Sequence, residues 1–134
     1  MSTTPAKITY LESNDMQKAR AFSPAVITEG GRTVWLAGQT TTVDLDGKDI
    51  SGNFEAQTNT CFALIDRTLQ RLGGSLANLV TMTVFINDPR YGDAFVKIRS
   101  GKFEAGRYPA SALISVSAFA RPGIVVEIQG VAVI

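Results

Sequence analysis

The chain of 134 residues contains no histidine. That absence removes Ser-His-Asp triads, Cys-His pairs and His-ligated metal centres together. Any proton transfer falls to carboxylates, lysine, tyrosine or bound water. Cysteine occurs once, as Cys61, so no disulfide can close within the chain and no zinc site is expected. No apolar run approaches the ~18 residues that mark a membrane-spanning helix. An excess of either charge is missing. Lys and Arg number 13 against 12 Asp and Glu, a net charge of +1. That balance calls for neither nucleic acid nor an anionic membrane surface. The first 20 residues carry Lys7, Glu12, Asp15, Lys18 and Arg20 and lack the apolar centre of a secretory leader. The expectation is a cytoplasmic chain with neither metal nor cofactor.

What is present is ordinary globular material, 45% hydrophobic and 19% charged, at the length of one domain that buries its own core. Residues 1–21 read as an irregular lead-in, with Ile8-Thr9-Tyr10 as a short edge strand. Ala25–Thr28 and Thr33–Ala37 are β-type runs separated by Gly30-Gly31, which suits a tight hairpin. Asp44-Leu45-Asp46-Gly47 is a further turn signal. From Asn53, a helix N-cap, to Leu72, the residues Cys61, Phe62, Ile65, Thr68, Leu69 and Leu72 fall on one helical face, and Gly73-Gly74 closes the helix. Leu79–Ile86 is a β-branched strand. Asp88-Pro89 opens a second helix whose inner face takes Ala94, Phe95, Ile98 and Phe103. Ala112–Phe119 and Ile124–Ile134 are the last strands.

The order is therefore β-β-α-β-α-β-β, a single α+β domain. Two helices cover one face of one sheet. The late strands nonetheless carry apolar residues on both faces: Val80, Met82, Val84 and Ile86 alternate with Leu79 and Phe85, and Val126 and Ile128 with Val125, Val131 and Val133. A sheet with one wet face should be polar at alternate positions. The second face calls for a cover, and a sister subunit is the simplest one.

Four stretches, in order along residues 22–134, together resemble the RidA/YjgF family, also called the L-PSP endoribonuclease family. They are Ser23-Pro24 before a strand, Ala37-Gly38-Gln39 at a strand end, Thr83-Val84-Phe85-Ile86-Asn87-Asp88, and Arg107-Tyr108-Pro109-Ala110 with Val126-Glu127-Ile128-Gln129-Gly130-Val131-Ala132. The resemblance implies a chorismate-mutase-like fold, a mostly antiparallel sheet with two helices on one face, assembled as a homotrimer. It also implies clefts at subunit boundaries that bind small carboxylates, in which reactive enamines and imines are hydrolysed to keto acids and ammonia.

Carried over residue by residue, the family's glycine matches Gly38, next to Ala37. A backbone without a side chain lets a carboxylate or a water come close there, or simply permits a bend. The late glutamate matches Glu127, which could orient the attacking water or shuttle a proton, or else pair with an arginine of a neighbouring subunit such as Arg107 or Arg121. The departures carry equal weight. The arginine that grips the substrate carboxylate in imine-hydrolysing members is here Ser111, and a hydroxyl cannot form the bidentate charged pair that arginine makes. Ala25 stands where a tyrosine is common, Leu113 where a cysteine is common, and Val96 near the position of a helix asparagine. Either another cation, Arg121 or Arg107, enters the cleft, or the substrate is neutral or differently shaped, or the chain binds a ligand or partner without catalysis. Ser111 has no histidine to activate it as a nucleophile. Cys61, on the helix's apolar face, reads as an inert buried thiol, and Trp35 as a core residue. RNA cleavage ranks last, since no basic stripe with interleaved aromatics is present.

Overall fold

The computed structural model describes residues 4–134. The expected edge strand is present as β1 (Lys7–Tyr10), paired antiparallel with β2 (Val26–Glu29) in register Lys7↔Glu29 to Tyr10↔Val26. The stretch between them is not irregular. It holds a short helix, α1 (Asp15–Ala19), whose five residues include none that is buried, so no apolar periodicity announces it. Its signal is local: Asn14 and Gln17 form a reciprocal capping box. At the other end Phe22 N–H bonds to the Gln17 carbonyl and Ala21 N–H to the Lys18 carbonyl, with Ala21 at φ 58. This is the left-handed helix stop that glycine normally supplies.

Gly30 and Gly31, at φ 66 and 71, make the expected turn. The strands it joins do not form a hairpin, however. β2 stays with β1, while β3 (Thr33–Trp35) crosses into a second sheet and pairs with the last strand. A turn signal specifies a reversal of the chain, and the pairing partner is chosen by burial elsewhere.

The second sheet has the order β3-β6-β4-β5, built from β3, β4 (Leu79–Ile86), β5 (Ala110–Ser115) and β6 (Val126–Val133). Its contacts are antiparallel except for β4 beside β5. A parallel neighbour requires a crossover, and that crossover is the turn Pro89–Tyr91 with α3 (Gly92–Ser100). β5 ends at Ser115 rather than near Phe119, and residues 116–125 return as a loop. α2 (Phe54–Gln70) starts at the Asn53 cap as expected but ends at Gln70, so Leu72, expected on its inner face, is exposed; Gly74 N–H then turns back to the Leu69 carbonyl.

Both helices lie on one face of this sheet. Phe62, Ile65 and Leu69 of α2 and Phe95 of α3 pack on Met82, Val84, Ile86, Val126 and Ile128. On α3 the buried positions are Gly92, Phe95, Val96 and Arg99, and Ala94 is exposed. Val125 belongs to this core rather than to the far face. Buried Gln57 fastens α2 to the approach of β6. Its amide donates to the Ile50 and Gly123 carbonyls at 3.0 and 2.7 Å and accepts from Val125 N–H at 3.0 Å. The far face is uncovered in the single chain. Trp35, expected in the core, is 79% exposed, and Ile114 is exposed beside half-buried Phe85 and Val131.

Candidate functional site

Strand alternation sorts the sequence-derived candidates onto two faces. Phe85 stands opposite Glu127 on one side and Ile114 on the other, so Glu127 belongs to the uncovered face. Ser111 stands opposite Met82, a core residue, so it belongs to the helix face at the β5 edge. Within one chain the fold does not bring Glu127 and Ser111 together.

Glu127 lines a shallow cavity of about 230 Å³ with Phe85, Val116, Ala118, Phe119 and Ala120. Gly38 lies directly against it. A Cβ on Gly38 would meet Glu127 Oε2 at 2.6 Å, so the carboxyl group occupies the space that any side chain at 38 would take. A side chain at 38 would therefore displace the Glu127 carboxyl from this position, while Ala37 beside it is exposed. Gln39 returns to β6 by a two-way backbone pairing with Ile128, which holds the 37–39 segment against Glu127. Among the described residues no donor is bonded to the Glu127 carboxylate, and no cation is ion-paired with it. Beneath, Cys61 is fully buried, with Sγ 3.4 Å from the Gln39 carbonyl. Burial, helped by the Glu127 charge, pushes its thiol up to about 12, which makes it inert as a nucleophile.

The two arginines put forward as substitutes for the missing clamp lie elsewhere in the chain. Arg107 rests over the Tyr10 ring at 5.1 Å and lies 4.0 Å from Glu104. It stands beside a larger hollow of about 590 Å³ between Tyr10, Leu11, Lys18 and Tyr108, away from both Glu127 and Ser111. Arg121 is exposed in the loop before β6. The cation at Ser111 is instead Arg99, which the sequence reading passed over. Its residue is 2% exposed, its Nη1 donates to Ser111 Oγ at 2.7 Å, and its Nη2 donates to the Arg20 carbonyl at 2.8 Å. Burial, with Arg20 nearby, lowers the guanidinium to about 10, so it is still a cation at neutral pH. A signal was available: Arg99 lies four residues after Phe95, on the apolar stripe of its helix. Arg20 completes the edge. Its Nη1 is 3.0 Å from Asp93 Oδ1, and a Cβ placed on Gly92 would meet its Nη2 at 3.9 Å and Leu113 Cδ2 at 3.7 Å. Among the described residues no cluster of three or more metal-ligating side chains occurs. No described helix is long and apolar enough to cross a membrane.

The family model described as Endoribonuclease L-PSP matches residues 12–134. No curated protein matches the chain. Among solved structures, the Rid-family protein YyfB of Yersinia pestis is 24% identical over 96% of this chain and 98% of its own, with a TM-score of 0.81. RidA of an Antarctic Psychrobacter is 29% identical over 84% of this chain and 88% of its own, with a TM-score of 0.69. A Mycobacterium tuberculosis member of the YjgF family is 26% identical over 96% of this chain and the whole of its own, with a TM-score of 0.66.

Proposed function

Since this chain belongs to the L-PSP endoribonuclease family, the family of the Rid and YjgF proteins, we propose that it hydrolyses reactive enamine and imine intermediates to keto compounds and ammonia, with altered specificity. The observation that carries this reading is the Glu127 carboxylate, seated in the space left by Gly38 with no partner among the described residues and open to a small cavity. A free carboxylate beside a small apolar-walled hollow suits general acid–base work. Glu127 takes a proton from the water that adds to the imine carbon and passes it to the nitrogen, which gives the carbinolamine. It then takes the hydroxyl proton and delivers it to the same nitrogen as the C–N bond breaks, so the carbonyl forms and ammonia leaves. Phe85 and Phe119 supply apolar wall to the cavity.

A ligand that touches both Glu127 and the Ser111 edge must take them from different copies, because one sheet separates them in a single chain. The uncovered face that bears Trp35, Phe85 and Ile114 is the surface available for such copies. We therefore take the working unit to be a homo-oligomer, a trimer by family resemblance, with the cleft at its subunit boundary.

The test is to generate imines in place with an amino-acid oxidase or a dehydratase and follow ammonia or keto-acid release. Wild type should accelerate breakdown, and Glu127→Gln should lose about 100-fold or more of that acceleration. No acceleration across a broad imine panel, with folded oligomer in hand, overturns the reading. One second reading has an observation behind it. Ala25, Ser111 and Leu113 replace residues usual in imine-hydrolysing members, which favours a ligand-binding or regulatory module on the same scaffold. In that case Glu127→Gln alters no rate.

A further inference from the structure

Glu127 is the only charged residue in the four-stranded sheet. β3, β4, β5 and β6 carry no lysine, no arginine and no second carboxylate. The rest of the Glu127 cavity is uncharged: Phe85 from β4, then Val116, Ala118, Phe119 and Ala120 from the loop after β5. That loop starts from a fixed place, because Val116 N–H bonds to the Ile86 carbonyl at 2.8 Å and carries the β4–β5 pairing past Ser115. Arg121, one residue beyond Ala120, is not part of the wall. A second copy packed on the uncovered face brings the same four strands, so its sheet adds no cation either. Arg99, the cation beside Ser111, lies on the helix side of the sheet.

We propose that this cavity takes an organic cation without a carboxylate, and that the substrates are the iminium ions of oxidised amines rather than of amino acids. Charge decides between the two. A protonated imine is a cation, and it is the form that water attacks most readily. Its nitrogen meets an opposite charge at Glu127, which is half-buried among apolar side chains, where attraction is screened less than in bulk water. Phe85 and Phe119 add aromatic rings, whose faces attract positive charge. An imine made from an amino acid instead carries a carboxylate on the carbon that water must attack. With that carbon at Glu127, two like charges would sit side by side, and the wall offers no cation to hold the second. The cavity, about 230 Å³, has room for a phenyl ring on a short chain. Glu127 takes the proton of the attacking water and returns protons to the nitrogen, as for the neutral imine. The iminium enters with one proton more, so iminium and water give a carbonyl compound and ammonium, and nothing is oxidised or reduced. The reaction that supplies such a substrate is the two-electron oxidation of an amine, and its carbonyl product is an aldehyde or ketone rather than a keto acid.

This inference rests on Glu127 being the site of imine hydrolysis, and the two are tested apart. Two imines with the same body are generated in place, that of phenethylamine by an amine oxidase and that of phenylalanine by an amino-acid oxidase. Each rate is divided by the rate without the protein. The assembled full-length protein should accelerate the phenethylamine imine about 10-fold or more beyond the phenylalanine imine, on the scale of one like-charge contact. Calorimetry with phenethylammonium and with 3-phenylpropionate reads binding alone. Wild type should prefer the ammonium about 10-fold or more. Glu127→Gln should erase that preference, and Phe119→Ala should weaken the ammonium while keeping it preferred. Should Glu127→Gln fail to fold, the wild-type comparison still decides. Equal or greater acceleration of the phenylalanine imine overturns the inference and leaves the deaminase reading standing; its loss in Arg121→Ala would then assign the carboxylate to that arginine. Equal affinity for the two probes in wild type overturns the cation site. If neither imine is accelerated and the ammonium preference still follows Glu127, the cation site stands and the deaminase reading falls.

Discussion

Gly38 and Glu127 share one volume, and that makes Gly38 the most sensitive small residue of the candidate site. A methyl group at 38 would start 2.6 Å from Glu127 Oε2, so the carboxylate must swing away. Gly38→Ala should therefore lose imine hydrolysis about as severely as Glu127→Gln, ~100-fold, while circular dichroism and the oligomeric state stay as in wild type. Retained activity would mean that the carboxylate position does not matter. Cys61 carries the opposite expectation. Its thiol is raised from 9.0 to about 12, so at pH 8 the folded protein should react with a thiol reagent roughly 1000-fold more slowly than the unfolded chain. The linkage has a definite sign. The folded state keeps a proton that the unfolded state gives up above about pH 9, so this group's contribution to stability is complete below that pH and is lost as pH rises through about 12. A Cys61→Val variant should show a shallower alkaline loss of Tm than wild type.

At the scale of elements, Gln57 is the joint that delivers β6, and with it Glu127, to its place. It satisfies two carbonyls and one N–H across α2, the 50–53 turn and the start of β6. Gln57→Leu keeps the approximate volume but leaves the Val125 N–H buried without a partner, at roughly 1–3 kcal/mol, while the Ile50 and Gly123 carbonyls each lose one of two bonds and keep Asn53 N–H and Gly52 N–H. Urea denaturation should show a loss of about 2 kcal/mol, and a loss within about 0.5 kcal/mol would assign the joint to packing alone. The same element shows what sequence patterning can reach. The α2 stripe of Cys61, Phe62, Ile65 and Leu69 was legible because a buried helix face repeats every three to four residues. α1 was not, because it buries nothing. Arg99 was passed over because the inner face of its helix was assigned from apolar residues alone, although its spacing from Phe95 was helical.

At the scale of the whole molecule, the uncovered sheet face is the feature that a single chain leaves unresolved. Trp35 at 79% exposure, with Phe85, Ile114 and Val131 along the same face, is too large an apolar surface to be left wet. On the proposed assembly, Trp35→Lys should convert oligomer to monomer in analytical ultracentrifugation without unfolding the chain, and should abolish any activity that needs a cleft between copies. If the Trp35→Lys variant stays oligomeric, the contact between copies lies elsewhere.

By itself the sequence determined the α+β class, most strand and helix cores, the apolar character of both sheet faces, and the candidacy of Gly38, Glu127 and Ser111. These are properties of periodicity, of turn chemistry and of motif order, all local or repeated along the chain. Tertiary structure alone decided that β2 and β3 part into different sheets, and that Glu127 and Ser111 occupy opposite faces. It also decided that the cation beside Ser111 is Arg99 rather than Arg107 or Arg121. The physical reason is common to the three. Each depends on which residues distant in the chain meet in space, and packing between elements makes that choice, as where α3 and α1 meet the edge of β5. Nothing in the spacing of the residues themselves carries it.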